Sequence, residues 1–391
     1  MVNDARTVAI QTLCDIHLHK SFILPASAVP NAREDLRITY SDLGYHPDST
    51  KKLADGGDGD AGSDPCVVFF IGGLLGGRYI LCRSASVARR LKIRIISMDR
   101  PGLGGSTRVP LDQRVATQVA AVPALLSHLG IRHVTLASHS GGAPYLFATL
   151  LAHRGLLHPK RPHIVMLSPW VHPEEGGALL MQITAMLPLQ VVAKFSSCAR
   201  AVNRTFAFSS GLRGRSPSKL APVVAPKSGE INDQKLNEGS SERAVLTEME
   251  ALIPKYMFAE DIEGSSDDVI LFLRKHVHPV IATGDTGAVQ GKDWLHCRTI
   301  ADAVVEQEKR LNQSTVDSEN LHVDVLHSEK DILIRPSGSR HFDDCWTNAV
   351  SSSKITFNPK IIKGTSHDSI LDPIHGADET WLQYVAQRWY G

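Results

Sequence analysis

One short stretch of the chain decides its fold: Ala137-Ser138-His139-Ser140-Gly141-Gly142-Ala143. A strand-like apolar run ends here, a sharp turn carries a serine between small residues, and a helix-like run begins. A tight strand-to-helix turn holds its central residue in a strained backbone conformation, so the neighbouring side chains must be small. Such a turn raises the hydroxyl of Ser140 above the sheet, near the positive end of the following helix. The stretch therefore predicts that the hydroxyl of Ser140 is positioned to take part in a reaction.

Apolar runs and helix-like stretches alternate on both sides of this turn. The runs that are typical of strands buried on both faces are 67–71, 93–98, 133–137 and 164–167. Helical spacing of apolar residues lies between and after them, at 79–91, 115–129 and 143–153. Two lead-in strands are predicted before this block, at 21–24 and 36–40. The alternation predicts an α/β fold with a mostly parallel sheet flanked by helices.

The alternation stops after about residue 174 and resumes later with strands at 321–326 and 354–362 and helices at 337–349 and 378–390. Helical patterns fill the gap, at 178–195, 244–256, 267–276 and 294–311. Between the first two lies 209–243, which is rich in Ser, Gly and Pro and has no aromatic residue. Such a stretch buries too little apolar surface to offset its ordering entropy, so we expect a mobile loop. We predict an N-terminal core segment over residues 1–175, a mainly helical insertion over 176–320 and a C-terminal core segment over 321–391.

The charge balance excludes several classes of partner. The chain has 42 Lys and Arg against 41 Asp and Glu, a formal net charge of +1. It lacks the basic surplus that binding to nucleic acid or to an anionic membrane requires. The most apolar stretch, 177–195, is interrupted by polar residues and a proline, and the N-terminus lacks a secretory pattern. We therefore expect a cytoplasmic protein without a nucleic-acid partner or stable membrane insertion; an oligomer is compatible with the sequence but not indicated.

The cysteines and glycines do not predict a metal or a cofactor. The six cysteines are scattered, with no C-x-x-C and no ligand-like spacing to histidine, which is typical of reduced thiols. The glycine-rich stretches 72–77 and 102–105 lack the Lys-Ser/Thr of a phosphate-binding loop and the spacing of a dinucleotide-binding one. The sequence therefore predicts no metal site and no cofactor.

Two further stretches complete a recognisable pattern. Phe70-Ile71-Gly72-Gly73-Leu74-Leu75-Gly76-Gly77 ends the third predicted strand, and Met98-Asp99-Arg100-Pro101-Gly102-Leu103-Gly104-Gly105-Ser106 follows the fourth. With the Ser140 turn, and in this chain order, they resemble the α/β-hydrolase superfamily, in its serine hydrolase branch with an inserted cap. Gly72 and Leu75 stand where the family has His and Pro. The resemblance implies that the helical insertion is a cap between the sixth and seventh core strands.

The resemblance also implies a catalytic triad in the chain order Ser, acid, His. Ser140 occupies the position of the nucleophile, with Ser138 where glycine is usual. Asp331 lies in the loop where the family places its acid, and His367 precedes the last helix, as the family's catalytic histidine does. The other candidate acids are Asp324, Asp343 and Asp344 and, at a second acid position of the family, Glu174 and Glu175.

The family pattern assigns the oxyanion hole to two backbone N–H groups, those of Leu74 and Gly141. The implied reaction is hydrolysis of an acyl carbonyl, in an ester, lactone or thioester of a small hydrophobic molecule, through an acyl-enzyme. Serine at the turn disfavours epoxide hydrolases and haloalkane dehalogenases, which use a carboxylate nucleophile. C–C bond hydrolysis, lyase chemistry, acyl transfer and non-catalytic ligand binding remain alternatives, and the substrate-binding residues remain open.

Overall fold

The computed structural model describes residues 4–47, 65–212, 240–275, 295–314, 319–351 and 353–391. Eight strands form one sheet: β1 (Lys20–Leu24), β2 (Leu36–Gly44), β3 (Cys66–Ile71), β4 (Ile93–Met98), β5 (Thr135–His139), β6 (His163–Leu167), β7 (Leu321–Ser328) and β8 (Ile355–Ile362). Their order in the sheet is β1-β2-β4-β3-β5-β6-β7-β8. β2 pairs antiparallel with β1 and with β4, and the remaining pairs are parallel. The predicted α/β fold with a mostly parallel sheet is confirmed.

The central strands are buried on both faces. Every residue of β3, β5 and β6 is buried, which explains why these strands appear in the sequence as nearly continuous apolar runs. Successive side chains still point to opposite faces, so Phe69 lies in one hydrophobic cluster and Phe70 in another. The sheet therefore separates two cores.

Helices cover both faces of the sheet. In the described ranges they are α1 (Ala5–Leu13), α2 (Ala85–Arg90), α3 (Arg114–His128), α4 (Gly142–Ala152), α5 (Pro173–Gly176), α6 (Leu179–Met186), α7 (Leu189–Val192), α8 (Phe195–Leu212), α9 (Ser240–Ala259), α10 (Gly264–Phe272), α11 (Cys297–Ser314), α12 (Arg335–Val350) and α13 (Ala377–Tyr390). α3, α4, α11 and α12 contribute side chains to the cluster that contains Phe69. α2 and α13 contribute to the cluster that contains Phe70, where Trp381 is fully buried.

The helices α5–α11 lie in the chain between β6 and β7, and several of them pack into or against the core. Met249 and Leu252 of α9 pack on Ala9 and Leu13 of α1. α10 is buried along its whole length. Val304 of α11 belongs to the same cluster as the central strands. α9, α10 and α11 therefore pack closely on the rest of the described structure.

The helical pattern at 178–195 is divided in the structure. Leu187 has extended backbone angles, φ −62° and ψ 144°, because Pro188 disfavours a helical conformation in the residue before it. The pieces α6 and α7 expose large apolar side chains, with Leu179 at 65% and Met186 at 80% exposure. No helix in the described ranges is both long and apolar enough to cross a membrane.

The stretch predicted as a mobile loop, 209–243, is helical at its two ends. Residues 209–212 belong to α8, and residues 240–243 belong to α9. The rest of that stretch, 213–239, lies outside the described residues. Both flanking helices thus extend further than the apolar spacing of the sequence indicates.

Candidate active site

Ser140 stands between β5 and α4 in a strained backbone conformation. Its φ is +50°, a left-handed value that non-glycine residues rarely adopt. Its N–H donates to the carbonyl of Leu167 at 3.0 Å, and its carbonyl accepts from the N–H groups of Ala143 at 3.0 Å and Trp170 at 3.1 Å. These three bonds anchor the turn on both sides, so the strain is held by the surrounding backbone.

The small residues around Ser140 are required by close backbone contacts. A methyl group on Gly142 would lie 2.1 Å from the carbonyl oxygen of Ile71. A methyl group on Gly73 would lie 3.0 Å from Cβ of Ser140. The loop after β3 and the turn after β5 therefore approach each other more closely than side chains allow, as the sequence pattern predicts.

Ser140, His367 and Asp331 form one continuous chain of hydrogen bonds. The hydroxyl of Ser140 donates to Nε2 of His367 at 2.8 Å. Nδ1–H of His367 donates to Oδ2 of Asp331 at 2.7 Å. All three side chains are buried, with residue exposures of 9%, 6% and 5% respectively. The three residues predicted as nucleophile, base and acid are thus brought together by the fold.

The second oxygen of Asp331 is held by the backbone. Its Oδ1 accepts from the N–H groups of Leu333 and Ile334, both at 2.9 Å. Burial alone would raise the pKa of Asp331, but the hydrogen bond and charge of His367, together with these N–H groups, hold it below its ordinary value. Burial alone would lower the pKa of His367, yet the hydrogen bond to Asp331 and its charge raise it. The pair therefore favours a carboxylate beside an imidazole of increased basicity.

The other candidate acids have different partners. Asp324 accepts from His163 at 2.8 Å, and Asp343 accepts from His327 at 2.8 Å. Glu175 lies beside His296 and His341, and Asp344 is exposed on α12. The side chain of Glu174 is 76% exposed. Among the candidate acids, the structure therefore brings Asp331 to His367.

His139, directly before the serine, supports His367 through its backbone. Nε2–H of His139 donates to the carbonyl oxygen of His367 at 2.8 Å, and the two rings lie 4.9 Å apart. Burial and the neighbouring charge of His367 lower the pKa of His139 to about 4. His139 is therefore a neutral donor at ordinary pH and does not reach Ser140 as a base.

Three of the four ring nitrogens of His139 and His367 are already hydrogen-bonded, which bears on metal binding. The possible ligand atoms of His139, His367 and Asp368 lie within 4.8 Å of one another. Both nitrogens of His367 bond to Ser140 and Asp331, and Nε2 of His139 bonds to a carbonyl. A metal ion would have to break the hydrogen-bonded chain, so these residues fit proton transfer better than metal coordination.

Of the two predicted oxyanion residues, Leu74 lies in the loop after β3 and Gly141 directly follows the serine in its turn. Within the described residues, the N–H groups of Leu74 and Gly141 donate no hydrogen bond to another backbone group. A side chain at position 141 is excluded, because a methyl group there would lie 2.5 Å from the ring of Phe272. Phe272 packs in turn on Trp170, with ring centroids 5.5 Å apart. An aromatic wall thus borders the turn.

Arg100 fixes the loop that contains Leu74. Its guanidinium donates to the carbonyl oxygens of Gly72 and Gly73, the latter at 2.7 Å. The carbonyl of Gly73 and the N–H of Leu74 belong to the same planar, trans peptide unit. Holding one end of that unit therefore sets the direction of the other. The sequence pattern around this arginine indicates only a turn and does not reveal this contact.

Arg100 is itself held by a buried carboxylate on α10. Oδ2 of Asp268 accepts from Arg100 at 2.8 Å, and its Oδ1 accepts from Arg114 and from the hydroxyl of Tyr145, each at 2.7 Å. The side chains of both arginines and of Asp268 are fully buried. Burial alone would raise the pKa of Asp268, but the two guanidinium charges lower it. The sequence signal for this cluster is an aspartate within the apolar pattern 267–276, and spacing alone does not link it to the earlier arginines.

Comparison with known proteins agrees with the topology. Neither a protein-family model nor a curated protein sequence matches the chain. A carboxylesterase structure from the ammonia-oxidizing thaumarchaeon Nitrososphaera gargenis superposes with a TM-score of 0.51 at 11% identity, covering 94% of this chain and 98% of that one. The chain has the α/β-hydrolase fold. Within the α/β-hydrolase fold, the Ser140 turn lies at the carboxyl end of a central parallel strand, β5.

Two further structures with the α/β-hydrolase fold were also found. An epoxide hydrolase from Vigna radiata has a TM-score of 0.49 at 13% identity, covering 95% of this chain and 98% of that one. A thermophilic esterase from Thermogutta terrifontis has a TM-score of 0.45 at 12% identity, covering 94% of this chain and 99% of that one. At such identities the comparison concerns the fold alone.

Replacing Asp268 with asparagine is expected to destabilise the protein by about 3–5 kcal/mol, because two buried guanidinium charges lose their partner. Chemical denaturation followed by circular dichroism measures this change. The adjacent Asp267→Asn variant is the control, since the partner of Asp267 is the half-exposed Arg108, which keeps contact with water when the carboxylate is lost, so a smaller destabilisation is expected. Equal stability of the two variants would contradict a special role for the buried cluster.

Proposed function

We propose that this protein is a serine hydrolase that cleaves an ester, lactone or thioester through an acyl-enzyme on Ser140. The observation that carries the proposal is the hydrogen-bonded chain from Ser140 through His367 to Asp331, with contacts of 2.8 and 2.7 Å. A serine hydroxyl is a weak nucleophile at its ordinary pKa and needs an adjacent base, which in turn needs an orienting acid. The α/β-hydrolase fold and its esterase neighbour in the comparison agree with this assignment.

In the first half of the reaction, Nε2 of His367 removes the hydroxyl proton as Oγ of Ser140 bonds to the acyl carbon. The carbonyl electron pair moves to its oxygen, and the N–H groups of Leu74 and Gly141 donate hydrogen bonds to this oxyanion. His367 then gives the proton to the leaving oxygen or sulfur as its bond to the acyl carbon breaks. From an ester or thioester the leaving group departs as an alcohol or thiol, whereas the new hydroxyl of an opened lactone stays attached to the acyl group; in each case the acyl group remains on Ser140.

In the second half, water takes the place of the alcohol or thiol. His367 removes a proton from the water, whose oxygen bonds to the acyl carbon of the ester on Ser140. The tetrahedral intermediate collapses as the proton passes to Oγ. A carboxylic acid is released, and the hydroxyl of Ser140 is restored.

Asp331 and Arg100 position the reacting groups in this mechanism. Asp331 keeps the proton of His367 on Nδ1 and stabilises the imidazolium that forms during each transfer. Arg100 acts through the peptide unit of Gly73 and Leu74, because its bond to the Gly73 carbonyl aims the Leu74 N–H at the oxyanion. Preorganised donors of this kind are worth about 3 kcal/mol each in related chemistry.

The proposed substrate is a small hydrophobic acyl compound. The side chain of Leu74 packs against an apolar cluster from α7 and α10, formed by Val192, Val269, Ile270 and Leu273. The aromatic pair of Trp170 and Phe272 borders the serine turn. Such surroundings favour an apolar acyl group, with a few polar groups at the carbonyl. We assign α6–α8 as the cap of this site, because α6 and α7 contribute Ala185 and Val192 to the same cluster as Leu74.

Ser140→Ala is expected to abolish labelling by a fluorophosphonate probe and to lower ester hydrolysis by about 10⁴-fold or more, because the nucleophile is lost. Ser138→Ala is the matched control, since Ser138 is a buried serine two residues earlier, within β5. Labelling read by gel fluorescence and turnover of short-chain p-nitrophenyl esters give the two measurements. Equal labelling of wild type and Ser140→Ala would show that Ser140 is not an activated nucleophile and would contradict the proposal.

The pH dependence of turnover follows from the raised pKa of His367. The imidazole accepts a proton only when neutral, so activity should fall as the pH drops below this pKa, which lies above the ordinary 6.5. In Asp331→Asn the carboxylate is lost. We expect kcat to fall by about 10⁴-fold, and the acidic limb of the remaining activity to move to lower pH, because the carboxylate that raises the pKa of His367 is gone.

Asp343→Asn is the control for that variant, because Asp343 also bonds a histidine, His327, at 2.8 Å. It should leave the pH profile of kcat/KM unchanged. An Asp331→Asn enzyme with normal turnover, or one whose acidic limb does not move, would rule out Asp331 as the orienting acid.

A further inference from the structure

A second group of chemically capable side chains lies where α5, α11 and α12 meet. Its members are a carboxylate on α5, an imidazole and a thiol at the start of α11, and an imidazole and a thiol on α12: Glu175, His296, Cys297, His341 and Cys345. His341 and Cys345 are four residues apart and therefore share one face of α12. Cys297 and Cys345 are buried free thiols. The proposed hydrolase reaction uses none of these groups.

The donor atoms of this cluster are close together. One ligand atom each of Glu175, Cys297 and His341 lies within 4.8 Å of the other two. Nε2 of His341 lies 3.3 Å from Oε2 of Glu175 and 3.6 Å from Sγ of Cys345. Nε2 of His296 lies 3.0 Å from the other carboxylate oxygen of Glu175. Three helices thus bring one donor atom each of Glu175, Cys297 and His341 together, with His296 and Cys345 beside them.

The spacings around His341 match the edges of a tetrahedral zinc site. Zinc lies about 2.3 Å from sulfur and about 2.0–2.1 Å from nitrogen or oxygen, which places neighbouring N and O ligands about 3.3 Å apart and N and S ligands about 3.6 Å apart. The distances from Nε2 of His341 to Glu175 and Cys345 are 3.3 and 3.6 Å. Nε2 of His341 therefore lies as far from Oε2 of Glu175 and from Sγ of Cys345 as two ligands of one tetrahedral zinc ion lie from each other.

Hydrogen bonding alone does not account for the arrangement. A single proton on Nε2 of His341 can point to only one of its two neighbours. Within the described residues, the buried Oε2 of Glu175 has no hydrogen-bond partner although it lies 3.3 Å from that nitrogen. A buried carboxylate oxygen without a hydrogen bond is costly unless another partner holds it. A metal ion between these atoms provides that partner.

We propose that this cluster binds Zn²⁺ through Glu175, Cys297 and His341, and that Cys345, with Sγ 3.6 Å from Nε2 of His341, moves toward the ion as the fourth ligand of a tetrahedral set. Thiolate and imidazole ligands favour zinc over magnesium or calcium. Two thiolates and one carboxylate carry three negative charges. Zn²⁺ and the guanidinium of Arg274, 3.8 Å from Glu175, balance them. His296 orients the carboxylate from outside the ligand set, as the outer partners of zinc ligands commonly do.

The proposed role of the metal is structural. Four protein ligands close the coordination sphere, which is typical of structural zinc rather than of a catalytic ion with a free position. The ion would join α5, directly after β6, to α11 and α12 on either side of β7. The ion would thereby hold both ends of the segment between β6 and β7 close to the sheet.

The test uses the full-length chain without an affinity tag. The protein is stripped with a chelator, dialysed, and titrated with Zn²⁺ or Co²⁺. We expect one metal ion per chain by mass spectrometry, a thiolate-to-cobalt charge-transfer band, and a rise in Tm with zinc. Absence of bound metal, or cobalt bound without the charge-transfer band, would overturn the proposal.

Single variants locate the site. Cys297→Ser and His341→Ala are each expected to weaken zinc binding by more than about 100-fold, and Cys345→Ser by at least about 10-fold. Cys82→Ser is the control, since Cys82 is a buried thiol in a different cluster and should retain the metal. Far-UV circular dichroism of each metal-free variant checks that the fold survives, independently of the metal and of the proposed hydrolase activity. Zinc affinity that is equal in Cys297→Ser and Cys82→Ser would overturn the proposal.

Discussion

The arrangement of this protein depends on one buried carboxylate, that of Asp268. It lies on α10, far along the chain from the two arginines that it pairs with, and all three side chains are shielded from water. Through Arg100 it reaches the loop after β3, and through Arg114 and Tyr145 it reaches α3 and α4. Charges in such a medium are stable only with full pairing. The hydrogen bonds of Asp268 therefore join α10 to the loop after β3 and to α4, the helix that follows the serine turn.

Much of the site could be predicted because its signals are local. The turn at Ser140 needs small neighbours, and the close contacts of Gly73 and Gly142 show why. His367 lies between the last strand and the last helix, and Asp331 follows β7, so their places in the chain order of the fold brought them to the serine. The strands were recognisable because parallel strands buried on both faces are continuous apolar runs.

The remaining features depend on contacts between distant regions of the chain. An aspartate in an apolar helix looks the same in sequence whether it meets solvent or two arginines, and the partners of Asp268 lie 154 and 168 residues earlier. The same holds for Cys297 and Cys345, whose spacing suggests no ligand set until α11 packs on α12. A single residue, Pro188, divides a stretch whose apolar spacing favours one helix. The spacing of residues along the chain shows which side chains share one face of a helix or strand. It does not show which other element packs against that face.

The packing of α1 on α9 has a consequence for how this chain is made. Arg6 of α1 bonds Glu248 of α9 across 242 residues of sequence. During synthesis at about 5–20 residues per second, the N-terminal helix emerges from the ribosome long before its partner exists. The apolar face of α1, with Ala9 and Leu13, has to wait for α9 until the residues between them have been made. We expect the nascent chain to expose this face to chaperones until α9 is available to cover it.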